Sequence, residues 1–292
     1  MSKTKKAVII GSVLVGIGVI IGFIGIAIGG FKFPNGAVDL TTMKALHAEK
    51  KTVQIADAFD KIEIAGASSM DIEICKSKTG KNYVEYYDTD DWTSRVDVKD
   101  RVLKFTTDDK GKHKAVVSLG FGKDTAARLY LADAEYKEIS VTTLSGYVTI
   151  QDVNAETVNV SASSGDLYMK NINAPDSIMA TSSSGDIDLE NATAKQIELG
   201  ANSGDIEMQD ITAESLRMST SSGDIDLENG DAEGFDITTS SGDVDMEITA
   251  GRTYRFDTKT NSGAVDVPDG DADSDYLCKI VTSSGDVDVK QK

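Results

Sequence analysis

Residues 183–189 read Ser-Ser-Gly-Asp-Ile-Asp-Leu, and the same seven residues return unchanged at 221–227. Related copies recur through the second half of the chain, with successive turn glycines 19 to 22 residues apart. These glycines are Gly146, Gly165, Gly185, Gly204, Gly223, Gly242, Gly263 and Gly285. A fixed period in this range is typical of solenoids and other stacked arrays, in which each repeat contributes one structural unit.

Apolar and polar residues alternate on both sides of each glycine. Around Gly242, for example, Val244 and Met246 follow at two and four positions, and Ile237 and Phe235 precede at five and seven. Alternation with a period of two indicates strands with one buried face. Each repeat is therefore predicted to hold two short strands joined at Ser-Gly, where glycine supplies the positive φ of a tight turn.

Two architectures fit this pattern: a meander of hairpins, or a β-solenoid in which each repeat forms one coil. A meander with two strands per repeat would be unusually large for an open sheet, and its apolar face would need a cover. No helical periodicity that could supply this cover follows residue 52. A solenoid buries both apolar faces in one core, so the sequence predicts an all-β, single-stranded β-solenoid with about 19–22 residues per coil.

Residues 52–139 carry strand signals without the regular motif. Within them, residues 67–71 read Ala-Ser-Ser-Met-Asp, a degenerate turn with Met70 in place of glycine. Terminal repeats are commonly atypical, so this stretch is predicted to form irregular N-terminal coils and a cap before the regular solenoid at 140–292. A cluster of aromatic residues is interpreted as packing of this cap, with a ligand platform as the alternative: Tyr83, Tyr86, Tyr87 and Trp92.

Residues 7–31 contain no charged side chain. As a helix this stretch is long enough to cross a hydrocarbon layer of about 30 Å, and it is longer than the usual core of a signal peptide. It is predicted to be a retained transmembrane helix. Lysines precede it, so residues 1–6 are predicted to be cytoplasmic, and the linker at 32–51 and everything after it extracytoplasmic. The lysines are Lys3, Lys5 and Lys6.

Glycines lie within a narrow arc of this predicted helix and include two Gly-x-x-x-Gly spacings. Such spacings let helices approach closely in lipid, so self-association of the helix is one hypothesis. The alternative is that membranes simply tolerate a glycine-rich span. The glycines are Gly11, Gly18, Gly22, Gly25 and Gly29.

Charge divides the chain. Residues 140–292 hold 29 acidic and 9 basic residues, whereas residues 1–139 hold 19 acidic and 21 basic. The acidic excess falls on outward positions such as Asp186, Asp188 and Glu190. Such a surface repels nucleic acid, which is excluded as a partner, and it disfavours anionic surfaces unless divalent cations bridge the two.

The aspartates that follow the turn glycines would stand in a column about 5 Å apart, where carboxylates repel one another unless a cation or an amide compensates. One hypothesis is a calcium ladder, and the other, which we favour, is that each aspartate bonds an amide of its own turn. Tyr147 and Ala264 replace aspartate in two repeats. The column consists of Asp166, Asp186, Asp205, Asp224, Asp243 and Asp286.

The loop Asp269–Asp275 invites comparison with a calcium-binding EF-hand loop. Its sixth position is Ser274 instead of glycine, and its twelfth is Ile280 instead of glutamate. The loop therefore fails the motif and is interpreted as a solvated insertion in one coil.

The sequence gives little support for any catalytic residue. His47 and His113 are the only histidines, and neither lies in a nucleophile motif. Acidic pairs occur in every coil, whereas an active site is a local exception to a repeat. Cys278 falls in an inward column, and a disulfide to Cys75 would have to join the two ends of the stack. No catalytic, cofactor-binding or metal-binding residue is assigned, and the protein is predicted not to be an enzyme.

Three segments resemble the DUF4097 family, which often carries an adhesin label: the repeated Ser-Ser-Gly-Asp-[Ile/Val]-Asp-[Leu/Met/Val], the lead-in Phe59–Ile64, and the closing Cys278–Val287. The resemblance covers roughly residues 52–290. It implies a β-solenoid with no established enzymatic activity. Some bacterial members look like accessory proteins of cell-envelope stress responses.

Two functions remain open at this point. The first is a membrane-anchored, extracytoplasmic structural or interaction protein that docks an unknown envelope protein or polymer. The second is a surface module that binds divalent cations such as calcium.

Overall fold

The computed structural model describes residues 32–33, 36–37, 49–88, 92–109 and 126–292 and divides the chain into two units, 1–47 and 48–292. In the first unit, β1 (Lys32–Phe33) pairs antiparallel with β2 (Gly36–Ala37). The predicted helix at 7–31 lies outside the described residues. Among the residues that are described, none belongs to a helix with the length and apolar character needed to cross a membrane.

The second unit is all-β in its described part. Its strands form one continuous sheet that winds through the coils. They are β3 (Glu49–Gln54), β4 (Lys61–Ser69), β5 (Ile72–Lys76), β6 (Tyr83–Asp88), β7 (Trp92–Lys99), β8 (Val102–Asp109), β9 (Ala127–Leu131), β10 (Glu135–Ser145), β11 (Val148–Ser164), β12 (Leu167–Ser182), β13 (Ile187–Ala201), β14 (Ile206–Ser219), β15 (Ile225–Thr238), β16 (Val244–Ile248), β17 (Arg255–Lys259), β18 (Val265–Asp266), β19 (Leu277–Val281) and β20 (Val287–Gln291).

Successive coils pair in parallel and in register, which confirms the predicted β-solenoid. Leu189 lies opposite Met208, Met208 opposite Leu227, and Leu227 opposite Met246. All four side chains are at most 3% exposed. Inward side chains of equivalent positions therefore form continuous apolar columns, and their burial is the main driving force for stacking.

Each regular coil contains a third buried segment that the predicted pair of strands missed. β12 to β15 run for 14 to 16 residues because they continue around a corner. After the corner, apolar residues such as Ile172 and Ala174 turn inward and are at most 2% exposed. In five coils the corner residue stands six positions after the turn glycine and has a left-handed backbone with φ between 51° and 59°: Asp152, Asn171, Asn191, Asp210 and Asn229.

Asparagine and aspartate fit this corner because they tolerate the left-handed conformation better than other side chains. They also bond one another along the stack. The Asn171 amide donates to Asp152 Oδ1 at 2.7 Å, and the Asn191 amide donates to Asn171 Oδ1 at 2.7 Å. The regular spacing of these residues was visible in the sequence and could have predicted the corner.

The turn glycines are required mainly by close packing between coils, which corrects the prediction that all of them supply a positive φ. A Cβ atom on Gly223 would lie 2.1 Å from the carbonyl oxygen of Gly204, and one on Gly242 would lie 1.9 Å from that of Gly223. Neither Gly204 nor Gly223 has a positive φ. The degenerate turn is confirmed, since a Cβ on Gly146 would meet the Met70 carbonyl oxygen at 2.5 Å.

The order of coils along the stack differs from their order in the sequence at both ends. β4 and β5 lie between the coil of β8 and β9 and the coil of β10 and β11. At the other end, β19 and β20 lie between β15 and β16 on one side and β17 and β18 on the other. Antiparallel strands then cover the first end, with β7 on β8, β6 on β9 and β3 on β6. Such covers protect edges that would otherwise pair with other chains.

Cys278 occupies the inward column as predicted, between Phe235 and Phe256, and its side chain is fully buried. Burial raises the pKa of its thiol to about 12, so the group is protonated and unreactive at neutral pH. Cys75 is also a free thiol.

Candidate functional site

Outward side chains of the strands that follow the turns form three rows along the stack. Parallel strands in register place equivalent residues one above another at about 4.8 Å, so each row repeats one side-chain position. We call the rows the turn row, the acidic row and the third row. The turn row begins with Asp71 and includes the aspartates directly after the glycines.

Carboxylates of the turn row are bound to the backbone of the neighbouring coil. Asp186 N–H donates to Asp166 Oδ1 at 3.0 Å, and Asp205 N–H donates to Asp186 Oδ1 at 2.9 Å. The same bond recurs from Asp224, Asp243, Asp286 and Ala264 to the aspartate of the preceding coil in the stack, at 2.7 to 2.8 Å. The favoured hypothesis of an amide partner was therefore right, but the amide belongs to the next coil and not to the same turn.

The two exceptions to this row have different consequences. Ala264 stands in the outermost coil, where no further coil needs a carboxylate acceptor, so its missing side chain costs nothing. Tyr147 N–H still donates to Asp71 Oδ1 at 2.9 Å, but its side chain offers no carboxylate to the amide of Asp166. Tyr147 and the neighbouring Leu144 are 62% and 56% exposed. The row is interrupted at this one coil.

Tyr147→Asp is expected to stabilise the protein, because it supplies the missing acceptor for Asp166 N–H. A hydrogen bond of this kind contributes about 1 kcal/mol, which corresponds to a rise in Tm of about 2–4 °C for a domain of this size. Thermal melts followed by circular dichroism measure it. Tyr147→Ala removes the same aromatic ring without adding an acceptor, and an equal effect of both substitutions would contradict this account.

The acidic row stands three positions after the glycines and has no comparable compensation. Its members are in direct register from coil to coil. Within the described part of the chain, Asp288 is the one member with an ion-pair partner, Lys290 at 2.9 Å. Like charges directly opposite one another destabilise a sheet. The row consists of Asp188, Glu207, Asp226, Asp245, Asp288 and Asp266.

Burial and the neighbouring negative charges raise the pKa of two carboxyl groups in the row. Partial burial, followed by the negative charges of Glu207 and its neighbours, raises the pKa of Asp188 to about 6. The pKa of Asp226 is raised by burial first and by Asp245 and Glu207 next. Both causes oppose ionisation of Asp188 and Asp226.

A shallow groove of about 580 Å³ lies over this part of the face. Its floor is the acidic row from Asp188 to Asp288, and its side is the third row, which stands five positions after the glycines. The third row is better compensated, because Glu190 pairs with Lys170 and Glu247 pairs with Lys292 at 2.6 Å. Apart from Glu228 in the third row, the carboxylates of the groove that lack an ion-pair partner among the described residues lie in the acidic row.

Towards the other end of the stack, the same face carries paired charges. Arg128 binds Glu73 through two hydrogen bonds of 2.7 and 2.9 Å, and Lys50 pairs with Glu85 at 3.0 Å. Paired charges of this kind leave little net field. The groove is therefore distinguished from the rest of the face by charge.

The aromatic residues of the N-terminal region lie on both the inward and the outward side of its strands. Tyr86 is 6% exposed and packs edge-on against Phe105, as expected for cap packing. Tyr83 stacks on Tyr130 with ring centroids 4.4 Å apart, on the outward side of β6 and β9. The side chain of Trp92 lies outside the described residues.

The Asp269–Asp275 loop is largely solvent-exposed, as the sequence predicted, and it also hydrogen-bonds to the outermost coil. Asp271 N–H donates to the Tyr254 carbonyl at 3.0 Å, and Ser274 Oγ donates to the Thr253 carbonyl at 2.6 Å. A Cβ on Gly270 would lie 2.8 Å from the Tyr254 carbonyl oxygen. These contacts make the loop a cover for this end of the stack.

Metal-ligand clusters are absent among the residues that the structure describes. Within those ranges, no three histidine, cysteine or acidic side chains converge as a metal-ligand set. Both histidines lie outside the described residues. The arrangement that remains is an extended anionic surface, whose chemistry is the binding of positive charge.

Parallel coils with short turns, apolar inner columns and an exposed, regular outer face define a β-solenoid of about eight turns. The chain belongs to the family described as Toastrack DUF4097, whose match covers residues 59–290. This confirms the resemblance found in the sequence. No curated protein matches the chain.

Solved structures share the fold at low sequence identity. A "putative adhesin" from Bacteroides fragilis NCTC 9343 is 17% identical, with a TM-score of 0.53, and the match covers 84% of this chain and 97% of that one. A "putative lipid binding protein" from Parabacteroides distasonis ATCC 8503 is 15% identical, with a TM-score of 0.46, covering 84% and 96%. At this identity the likeness to the first structure establishes the fold alone.

Proposed function

We propose that this protein is a membrane-anchored, extracytoplasmic interaction protein of the bacterial cell envelope that binds a cationic partner along its acidic row. The partner is a protein segment or polymer with repeated positive charges. The acidic row, in register and almost without counter-ions, is the observation that carries this proposal. Binding, without catalysis, is the activity we assign.

The electrostatic cost of the acidic row is the first reason for proposing a cationic partner. Each member of the row is in register with at least one other carboxylate, and the raised pKa values of Asp188 and Asp226, due first to burial and then to these charges, support an electrostatic cost of this placement. The turn row shows that the same repeat can also place aspartates without cost, by giving each one an amide. A row left uncompensated is best explained by a positive charge that comes from outside the chain.

The extended shape of the acidic row is the second reason for proposing a cationic partner. The row extends through successive coils at about 4.8 Å each, so it offers a line of charge and not a point. A line suits an extended polycation, because several moderate contacts add up along it. A coordinated calcium ion would need a compact cluster of oxygen ligands, and the described residues provide none.

Anchoring rests on the uncharged stretch 7–31 and the lysines before it. We propose a single-pass protein with a cytoplasmic N-terminus and the solenoid outside, in an adhesion role or as an accessory to an envelope stress response. The family's adhesin label supports the first role. Resistance of the protein to extraction from membranes at alkaline pH, together with protease cleavage of the solenoid in intact cells, is expected. Release into the soluble fraction would contradict the anchor.

Oligolysine binding to the full chain in detergent tests the site. Asp226→Asn is expected to weaken binding about fivefold in calorimetry, since one exposed charge contact contributes up to about 1 kcal/mol. Binding should also weaken as salt rises. Asp236→Asn is the matched control, because it removes one carboxylate from the opposite side of the coil, where Arg217 and Lys279 already pair with it.

Equal losses in the two variants would show that only net charge matters, and the proposed site would be wrong. Calcium titrated into the same cell separates the rival function. Saturable binding of calcium in the micromolar range, together with no binding of oligolysine, would favour the cation module instead.

A further inference from the structure

Asp188 stands at the end of the acidic row where paired and unpaired charges meet. It is only partly exposed, whereas Glu207 and Asp226 above it are open to solvent. Lys170, the nearest cation in the neighbouring coil, is already engaged by Glu190. The groups that face Asp188 are Tyr168, Lys170 and Asp166 from the coil below, Glu207 from the coil above, and Asp186 and Glu190 from its own coil.

We propose that Asp188 is a proton-operated switch at the end of the acidic row, in which its protonation in mild acid stabilises the stacked coils and weakens binding of the cationic partner. The part of this inference that concerns binding rests on the proposed function. The part that concerns the coils does not, because it follows from the partial burial of Asp188 and its register with Glu207.

The direction of the stability change follows from the proton affinity of Asp188 in the two states. Its pKa is about 6 in the folded chain and 3.8 as an ordinary carboxyl group, so the folded chain binds the proton more tightly. The stabilisation that comes from protonating Asp188 is complete below the unfolded-state pKa of 3.8, and it is lost as pH rises through the folded-state pKa of about 6. Stability is therefore expected to increase as pH falls from 7.5 towards 5.

Carboxyl groups in good ion pairs have lowered pKa values, so their contribution to stability decreases as pH falls. This decrease occurs at lower pH than the titration of Asp188. Lys137 and Arg101 lower the pKa of Asp60, and Lys170 lowers that of Glu190. Asp60 and Glu190 keep their contributions to folding stability until pH falls through their lowered pKa values. Asp188 therefore takes up its proton at higher pH than these ion-paired carboxyl groups.

Thermal melts of the full chain in detergent at pH 7.5, 6.5 and 5.5 test the first part. The Tm of the unaltered chain is expected to rise by about 2–4 °C across this range. Asp188→Asn removes the titrating group, so its Tm should be higher at pH 7.5 and should change less with pH. Asp236→Asn, on the opposite side, should keep the full pH dependence.

Oligolysine binding over the same pH range tests the second part. Lysine side chains stay charged throughout, so any change reports the protein. Affinity is expected to fall up to about fivefold from pH 7.5 to 5.5 as Asp188 loses its charge, because one charge contact contributes up to about 1 kcal/mol. Binding and stability should thus move in opposite directions.

A flat Tm between pH 7.5 and 5.5, or an unchanged slope in Asp188→Asn, would overturn the switch itself. So would oligolysine affinity that is independent of pH. Failure of oligolysine to bind at any pH would instead refute the proposed function, while the rise in Tm would still support proton uptake by the row.

Discussion

Leu227→Asp is expected to unfold the solenoid. Leu227 is 2% exposed, lies between Met208 and Met246 in the inward column, and fills the space that glycine leaves at Gly230. A carboxylate at this position has no partner and no water, and its burial costs several kcal/mol, roughly the stability of a typical domain at about 5–15 kcal/mol. Circular dichroism melts at pH 7 measure the loss.

Asp226→Lys, one residue away, is the matched control. Asp226 is exposed, and a lysine there would relieve its repulsion with Glu207 and Asp245. The variant is expected to keep its Tm or to gain slightly. Similar melting of the two variants would mean that the two side chains do not lie on opposite faces, and the parallel stack would be wrong.

Gly223→Ala is expected to be nearly as damaging, although it adds a single methyl group. The new Cβ would lie 2.1 Å from the carbonyl oxygen of Gly204 and 2.9 Å from Asp205 Oδ1. A backbone carbonyl cannot swing aside, so the two coils must move apart and weaken the ladder above and below them. Overpacking of this kind costs about 1–3 kcal/mol or more.

Gly200→Ala is the control for the same chemical change inside a strand. Its Cβ would meet Ser219 Oγ at 3.5 Å and Thr181 Cγ2 at 3.7 Å, which are ordinary contacts. Loss of backbone freedom in the unfolded chain should stabilise this variant by about 0.4–1 kcal/mol. Denaturant titration of both variants compares them directly. A harmless Gly223→Ala would show that the turns do not stack as closely as described.

The repeat separates its stabilising positions from the acidic row, where we propose that the partner binds. Inward columns, corner residues and turn aspartates all make bonds or contacts that hold one coil on the next. The acidic row makes none and works against stacking. Because the two kinds of position alternate along the same short strand, substitutions in the row can change binding without loss of the fold.

Part of the candidate site could be predicted from the sequence. Alternation placed Asp188 and Asp226 on the outside, and the burial pattern confirms this. The partner of each turn aspartate could not be predicted, because the amide that it accepts lies in the next coil, 19 or more residues away. Spacing alone also could not separate the turn row, which is compensated, from the acidic row, which is not.

A period of about 19 residues, the parity of apolar residues and a small residue at the turn were enough to determine a β-solenoid, because each is a local property repeated many times. Tertiary structure decided the rest: the exchanged order of the end coils, the cover formed by Asp269–Asp275, and the need for glycine at Gly223. These three features depend on which backbone groups of residues distant in the sequence come within contact distance. The repeat pattern does not determine this, because it is the same for every order in which the coils can stack.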